Sequence, residues 1–167
     1  MSRWIFSQSV CVFCAALLTP PFCAAEELKS VSPEAQRVRG PQAITKLDSR
    51  TAVVANRCGS VSVVDLVKWT VVSEFEIGGR LTDIASSGRR VFVTDSERSR
   101  LVELKIDQKS AKQISETALP THPVTVRVSA DGSRATVASL WGRTVSILDL
   151  SGNCLLYTSP SPRDRYG

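Results

Sequence analysis

The chain has 167 residues, 43% of them hydrophobic and 22% charged, a balance that suits one globular domain and excludes a wholly disordered chain. Its formal net charge is +5, from 21 Lys and Arg against 16 Asp and Glu. The signs alternate, with no Lys/Arg block and no aromatics interleaved among basic residues, so no nucleic-acid partner is expected.

Residues 1–25 read as a cleavable export signal. Arg3 supplies the positive start, Val10 to Leu18 the apolar run, and Thr19-Pro20-Pro21 the break. Cys23-Ala24-Ala25 then places small side chains before a cut at Glu26. The apolar run is far shorter than the ~20 residues that cross a bilayer, so no stable membrane span is expected after cleavage. The mature protein is expected in the periplasm or secreted. Cys11, Cys14 and Cys23 would leave with the signal. Cys11 and Cys14 have the CxxC spacing of a redox or metal motif, but inside an apolar segment with no histidine near, they read as incidental.

Residues 26–40 are polar, carry Pro33 and show no sustained period, which reads as a linker or N-terminal arm. From Pro41 the texture changes to short runs rich in Val, Ile and Thr, alternating with polar positions and separated by turn residues. Three segments then repeat: Thr51 to Leu66, Arg90 to Ile106 and Arg134 to Leu150. Val61, Leu101 and Val145 occupy equivalent places, a period of about 40 residues that matches one four-stranded blade. Each unit reads as two strands joined by a tight turn, at Arg57 to Ser60, Ser96 to Ser99 and Leu140 to Arg143. Gly59 and Gly142 are expected to supply positive φ in two of these turns. Thr70 to Gly78 reads as an outer strand, and Ala130-Asp131-Gly132-Ser133 as a turn before a new strand. Both faces of the inner strands are largely apolar, as stacked sheets require.

Val53-Val54-Ala55-Asn56, Val91 to Asp95, the Ser129-Ala130-Asp131-Gly132 turn, and the strands Val61 to Asp65 and Val145 to Asp149 together resemble the YVTN-type β-propeller repeat family. The resemblance spans residues 41–150 and implies an all-β chain: a partial β-propeller of about two and a half blades of antiparallel four-stranded sheets, over residues 41–153. In the second unit Glu103-Leu104-Lys105 departs from the family's Ile-Asp pattern. Residues 154–167 depart altogether. Cys154 to Asp164 carries two prolines that no central strand tolerates, and the string resembles a translated sequencing-library adapter, so a non-native tail is expected there. The chain is accordingly expected to be the N-terminal piece of a longer exported bacterial protein. Cys58 is left alone, so no intrachain disulfide is expected.

No catalytic constellation emerges, and no catalytic, cofactor-binding or metal residue is assigned. His122 is the one histidine and reads as a loop or packing residue, since a metal site needs further ligands and a nucleophilic serine needs a base. Asp65, Asp131 and Asp149 read as turn or strand-end residues, Ser62 and Ser146 as small residues where blades pack. Trp69 and Trp141 lie near turns; Trp141 reads as a blade-edge packing residue, with an exposed binding anchor as the alternative. Gly78-Gly79 begins no helix and so makes no phosphate loop. The leading expectation is a non-catalytic interaction module with no cofactor of its own, whose partner is a protein or a downstream domain of the same chain. The resemblance also implies two alternatives. One is the propeller of a periplasmic c-type haem or peroxidase-like electron-transfer protein. The other is a lactonase-like hydrolase.

Overall fold

The computed structural model describes residues 26–31, 39–152 and 154–160; the expected signal at residues 1–25 lies outside them. The described residues form thirteen β-strands and no helix. The first sheet runs β2 (Pro41–Lys46), β3 (Thr51–Asn56), β4 (Ser60–Asp65) and β5 (Thr70–Glu76). The second runs β6 (Leu81–Ser87), β7 (Arg90–Asp95), β8 (Arg100–Ile106) and β9 (Ala111–Ala118), and β1 (Glu26–Glu27) adds to its outer edge. The third runs β10 (Pro123–Val128), β11 (Arg134–Ser139), β12 (Thr144–Asp149) and β13 (Cys154–Pro160). All pairs are antiparallel, and apart from β1 the strands of each sheet lie in chain order.

Alternation along the central strands explains the stacking. Val61 and Val63 of the first sheet meet Val91, Val93, Val102 and Leu104 of the second in one core. Phe92 and Leu101, from the opposite face of the second sheet, meet Ala135, Val137 and Leu148 of the third. A middle sheet buried on both faces is why its strands read as nearly continuous apolar runs. Glu103 stands where Val63 and Ile147 stand in the neighbouring sheets; the β7–β8 register is unbroken, with Glu103 opposite Phe92, and the shift toward β9 falls between Glu103 and Leu104 as it falls after Val63 and Ile147 in the other sheets. Its buried carboxylate is met by Arg90 Nε at 2.6 Å and by the Ser115 hydroxyl at 2.9 Å, which is how a charge fits an apolar position.

The structure fills in the ends of the sheets and corrects one turn. The third sheet is complete: residues 154–160 pair with β12 from Asp149↔Cys154 to Thr144↔Pro160. There are thus three four-stranded sheets, in keeping with the expected partial propeller. The strand is an edge strand and Pro160 is its last residue, the placement at which a missing N–H costs least. Gly142 does not take the left-handed position in its turn; Arg143 does, at φ 45°. Trp69 (φ 54°) and Ser99 (φ 52°) do the same in their turns, which close a type I turn with one left-handed residue before the next strand. Residues 26–31 run as an arm across two sheets. Glu26 and Glu27 pair with Gln113 and Lys112 on β9. The arm then crosses to β5, where Glu76 N–H donates to the Lys29 carbonyl (3.1 Å) and Val31 N–H to the Glu74 carbonyl (2.8 Å).

Candidate functional site

Four antiparallel strands per sheet put two kinds of connection at the same end: the turn from second to third strand, and the link to the next sheet. They are laced together by backbone bonds. Gly78 N–H donates to Gly59 O (2.9 Å), Ser96 N–H to Arg80 O (2.9 Å), Leu119 N–H to Ser99 O (2.8 Å), and Leu140 N–H to His122 O (2.9 Å). This end carries exposed Arg57, Arg80, Arg98 and Arg143, with Glu97 the one exposed acid in these connections. At its third-sheet side the His122 and Trp141 rings stack, centroids 4.5 Å apart and 12° from parallel. Trp141 is nonetheless 71% exposed and Leu140 60%. His122 sits at φ 61°, so two left-handed non-glycine residues, His122 and Arg143, hold this ledge. Strained backbone of that kind concentrates where a surface is shaped for use.

The opposite end is charge-balanced and locally satisfied. Asp65 accepts the Val67 and Lys68 N–H groups (2.8 and 3.1 Å) and Asp149 that of Ser151 (2.8 Å). Asp131 is hydrogen-bonded by the Ser129 and Ser133 hydroxyls, which hold its carboxyl down to about 2. Bonds from the Lys68 and Val67 N–H groups likewise lower Asp65, and those from Ser151 lower Asp149. These three acids are turn residues, and their charge is saturated by their own loops.

Between the first two sheets' outer rims lies a cleft of about 700 Å³. Arg98 and Arg100 reach into it, and the strapping arm borders it at Leu28.

The remaining residues singled out in sequence disperse. Cys58 is a free, exposed thiol, its Sγ 3.2 Å from the Ser60 hydroxyl. Ser60 donates to Glu74 Oε1 (2.5 Å), and Arg39 Nε reaches Glu74 Oε2 (2.8 Å). Ser62 accepts from Asn56 Nδ2 at 2.8 Å, while Ser146 is buried in the third sheet. Trp69 stands 79% exposed at the other end of the molecule from Trp141. Gly78 and Gly79 form the link between the first two sheets, both at positive φ. No group of three His, Cys, Asp or Glu converges to hold a metal among the described residues. Two features carried no sequence signal that was used. Glu74 is buried inside an otherwise edge-like strand, and Arg98 and Arg100 converge on one cleft. A charged residue at an inward position of an alternating strand was the available clue for the first.

No protein-family model matches the chain, and no curated protein matches its sequence. Solved structures do match. Hydrazine synthase of Kuenenia stuttgartiensis superposes with a TM-score of 0.65 at 21% identity, over 80% of this chain and 41% of that one. The Swd1 β-propeller domain of Myceliophteria thermophila gives 0.62 at 14% identity, over 73% and 44%. A proposed 6-phosphogluconolactonase of Bacteroides fragilis gives 0.64 at 14% identity, over 74% and 40%. Together with the three stacked sheets, this defines the fold as a partial β-propeller whose sheets are blades. The chain spans less than half the length of each of these structures.

Proposed function

We propose that the chain is the non-catalytic propeller part of an exported bacterial protein of the YVTN-repeat type, and that it presents its arginine-bearing end to a protein partner or to another domain of the same polypeptide. The observation that carries this reading is the ledge of Trp141 and Leu140, exposed beside Arg143 and propped by His122. Aromatic and arginine side chains are the types that dominate binding energy at interfaces, and an exposed apolar patch with a charged rim is the usual mark of one. The excess of arginine at this end favours an acidic partner surface, which would speed encounter and make it salt-dependent. A hydrolase or haem-linked reading draws on fold likeness, and fold alone does not assign chemistry.

The test is site-specific photo-cross-linking in the producing bacterium, with the reactive residue at Trp141 or, as a control, at Lys68 on the opposite end. A discrete adduct from position 141, weakened in an R143E background, is expected. Adducts of equal yield from both ends, or none from 141, would overturn the assignment. N-terminal sequencing of the exported protein tests the other half, with Glu26 expected as the first residue.

A further inference from the structure

We infer that the cleft between the outer rims of the first and second blades binds a small molecule through a single oxyanion. The cleft holds about 700 Å³, room for a ligand of many atoms rather than an ion alone. Two guanidinium groups converge on its floor. Arg98 Nη1 and Arg100 Nη2 lie 3.5 and 3.4 Å from the same acceptor, the carbonyl oxygen of Ile77. Arg100 is compensated by Asp95 (3.1 Å) and by Glu116. Arg98 has no carboxylate partner among the described residues. Like charges held side by side repel, and the carbonyl they share neutralises neither.

The Arg98 guanidinium lies over Gly78, where an added Cβ would come within 3.0 Å of Nη1 and 3.1 Å of Nη2. Gly78 at φ +78° also lets the chain turn beneath it. A planar guanidinium pair in this setting matches the bidentate geometry of a carboxylate or a phosphate. Leu28 and Ile114 line the walls and offer apolar surface for the body of the ligand. Glu27, Glu76 and Glu116 line the same cleft, and Lys29 stands beside Glu27 and Leu28 on the arm. The three carboxylates disfavour a second anionic group, so the ligand carries one carboxylate or phosphate headgroup on a remainder that is neutral or cationic. The site lies outside the Trp141 ledge; Arg98 is the residue it shares with the arginine-bearing end, and the partner test at positions 141 and 143 does not use it.

The experiment follows the arginine side-chain Nε–H resonances of the full chain by NMR during titration. The probes are benzoate, phenyl phosphate, 4-(aminomethyl)benzoate and citrate. Saturable shifts of Arg98 and Arg100 are expected with the three monoaromatic probes, with 4-(aminomethyl)benzoate tighter than benzoate. Benzoate against phenyl phosphate reveals the preferred headgroup. R98Q should weaken binding about tenfold or more, the loss of a charge-assisted bidentate contact, while K68Q, at the opposite end, leaves it unchanged. Shifts that do not saturate, that are equal at Arg57 and Arg80, or that are strongest with citrate would overturn the proposal. Should R98Q fail to fold, the wild-type titration pattern alone decides.

Discussion

Asp83 joins the second blade to the third, and its removal gives a defined cost. Its Oδ2 accepts the Thr125 hydroxyl (2.7 Å), the Val126 N–H (2.9 Å) and Arg127 Nη1 (2.8 Å). D83A strands these donors unequally. Val126 is fully buried, so an unsatisfied N–H there costs about 1–3 kcal/mol. The Thr125 hydroxyl is half-buried and turns partly to water. Arg127 is 74% exposed, and an exposed ion pair adds about 0–1 kcal/mol. The total is roughly 2–3 kcal/mol, or on the order of 10 °C in Tm for a domain of this size. Partial burial pushes the Asp83 carboxyl up, but the bonds from Thr125, Val126, Ile84 and Arg127 outweigh it and hold it below its usual value of 3.8. A folded-state value below the unfolded one gives stability that is fully present above the unfolded value and is lost as pH falls through the folded one. The advantage of wild type over D83N should thus be constant near neutrality, shrink below pH ~4 and vanish in stronger acid. Urea unfolding followed by tryptophan fluorescence from pH 7 downward measures both quantities. A cost for D83A under about 0.5 kcal/mol, or a D83N difference that does not change with pH, would refute the reasoning.

Gly79 sits at φ +74°, and a Cβ there would meet Asp95 Oδ2 at 2.1 Å. The Asp95 carboxylate is fully buried and accepts from Arg80 N–H, Glu97 N–H, Arg98 N–H and Arg100 Nε. G79A should therefore cost about 2–4 kcal/mol in denaturant unfolding, against about 1 kcal/mol for G88A, where the space is open; equal costs would sink this. The third blade leaves Val145, Leu155 and Leu156 exposed, and the first leaves Ile44 65% exposed. Sedimentation velocity should show concentration-dependent association of the chain alone, and a monodisperse monomer at tens of micromolar would contradict it.

The blade pattern was legible because each central hairpin is local: alternation and turn residues lie within one short segment, as at Thr51 to Asp65. Glu103 disturbed that pattern only by residue type, since its carboxylate is satisfied by Arg90 and Ser115 and its pairing with β7 keeps register. Positive φ at Arg143 rather than Gly142 was not legible, because turn geometry fixes the position and glycine merely tolerates it. The two prolines near the end argued against a central strand but not against an edge, and β13 is an edge. The pairing of Glu26 and Glu27 with β9 rests on backbone bonds alone and spans most of a hundred residues of chain, so no side-chain pattern announces it. The Arg98–Arg100 convergence was hidden for a related reason. The carbonyl they share belongs to Ile77, in the preceding blade.

The arm that crosses from β9 to β5 reverses the order of assembly. Its residues are synthesised before either blade, yet Glu26 has no partner until Gln113 exists. The first stretch made is among the last to dock, and during synthesis the β5 edge waits bare, a state in which unpaired strands invite wrong pairings. The same geometry sets how the molecule yields to force. Tension on the N-terminal side strips Glu26 to Leu28 from the second blade before it reaches Lys29 to Val31 on the first. The seam between the blades would open while both four-stranded ladders are still intact.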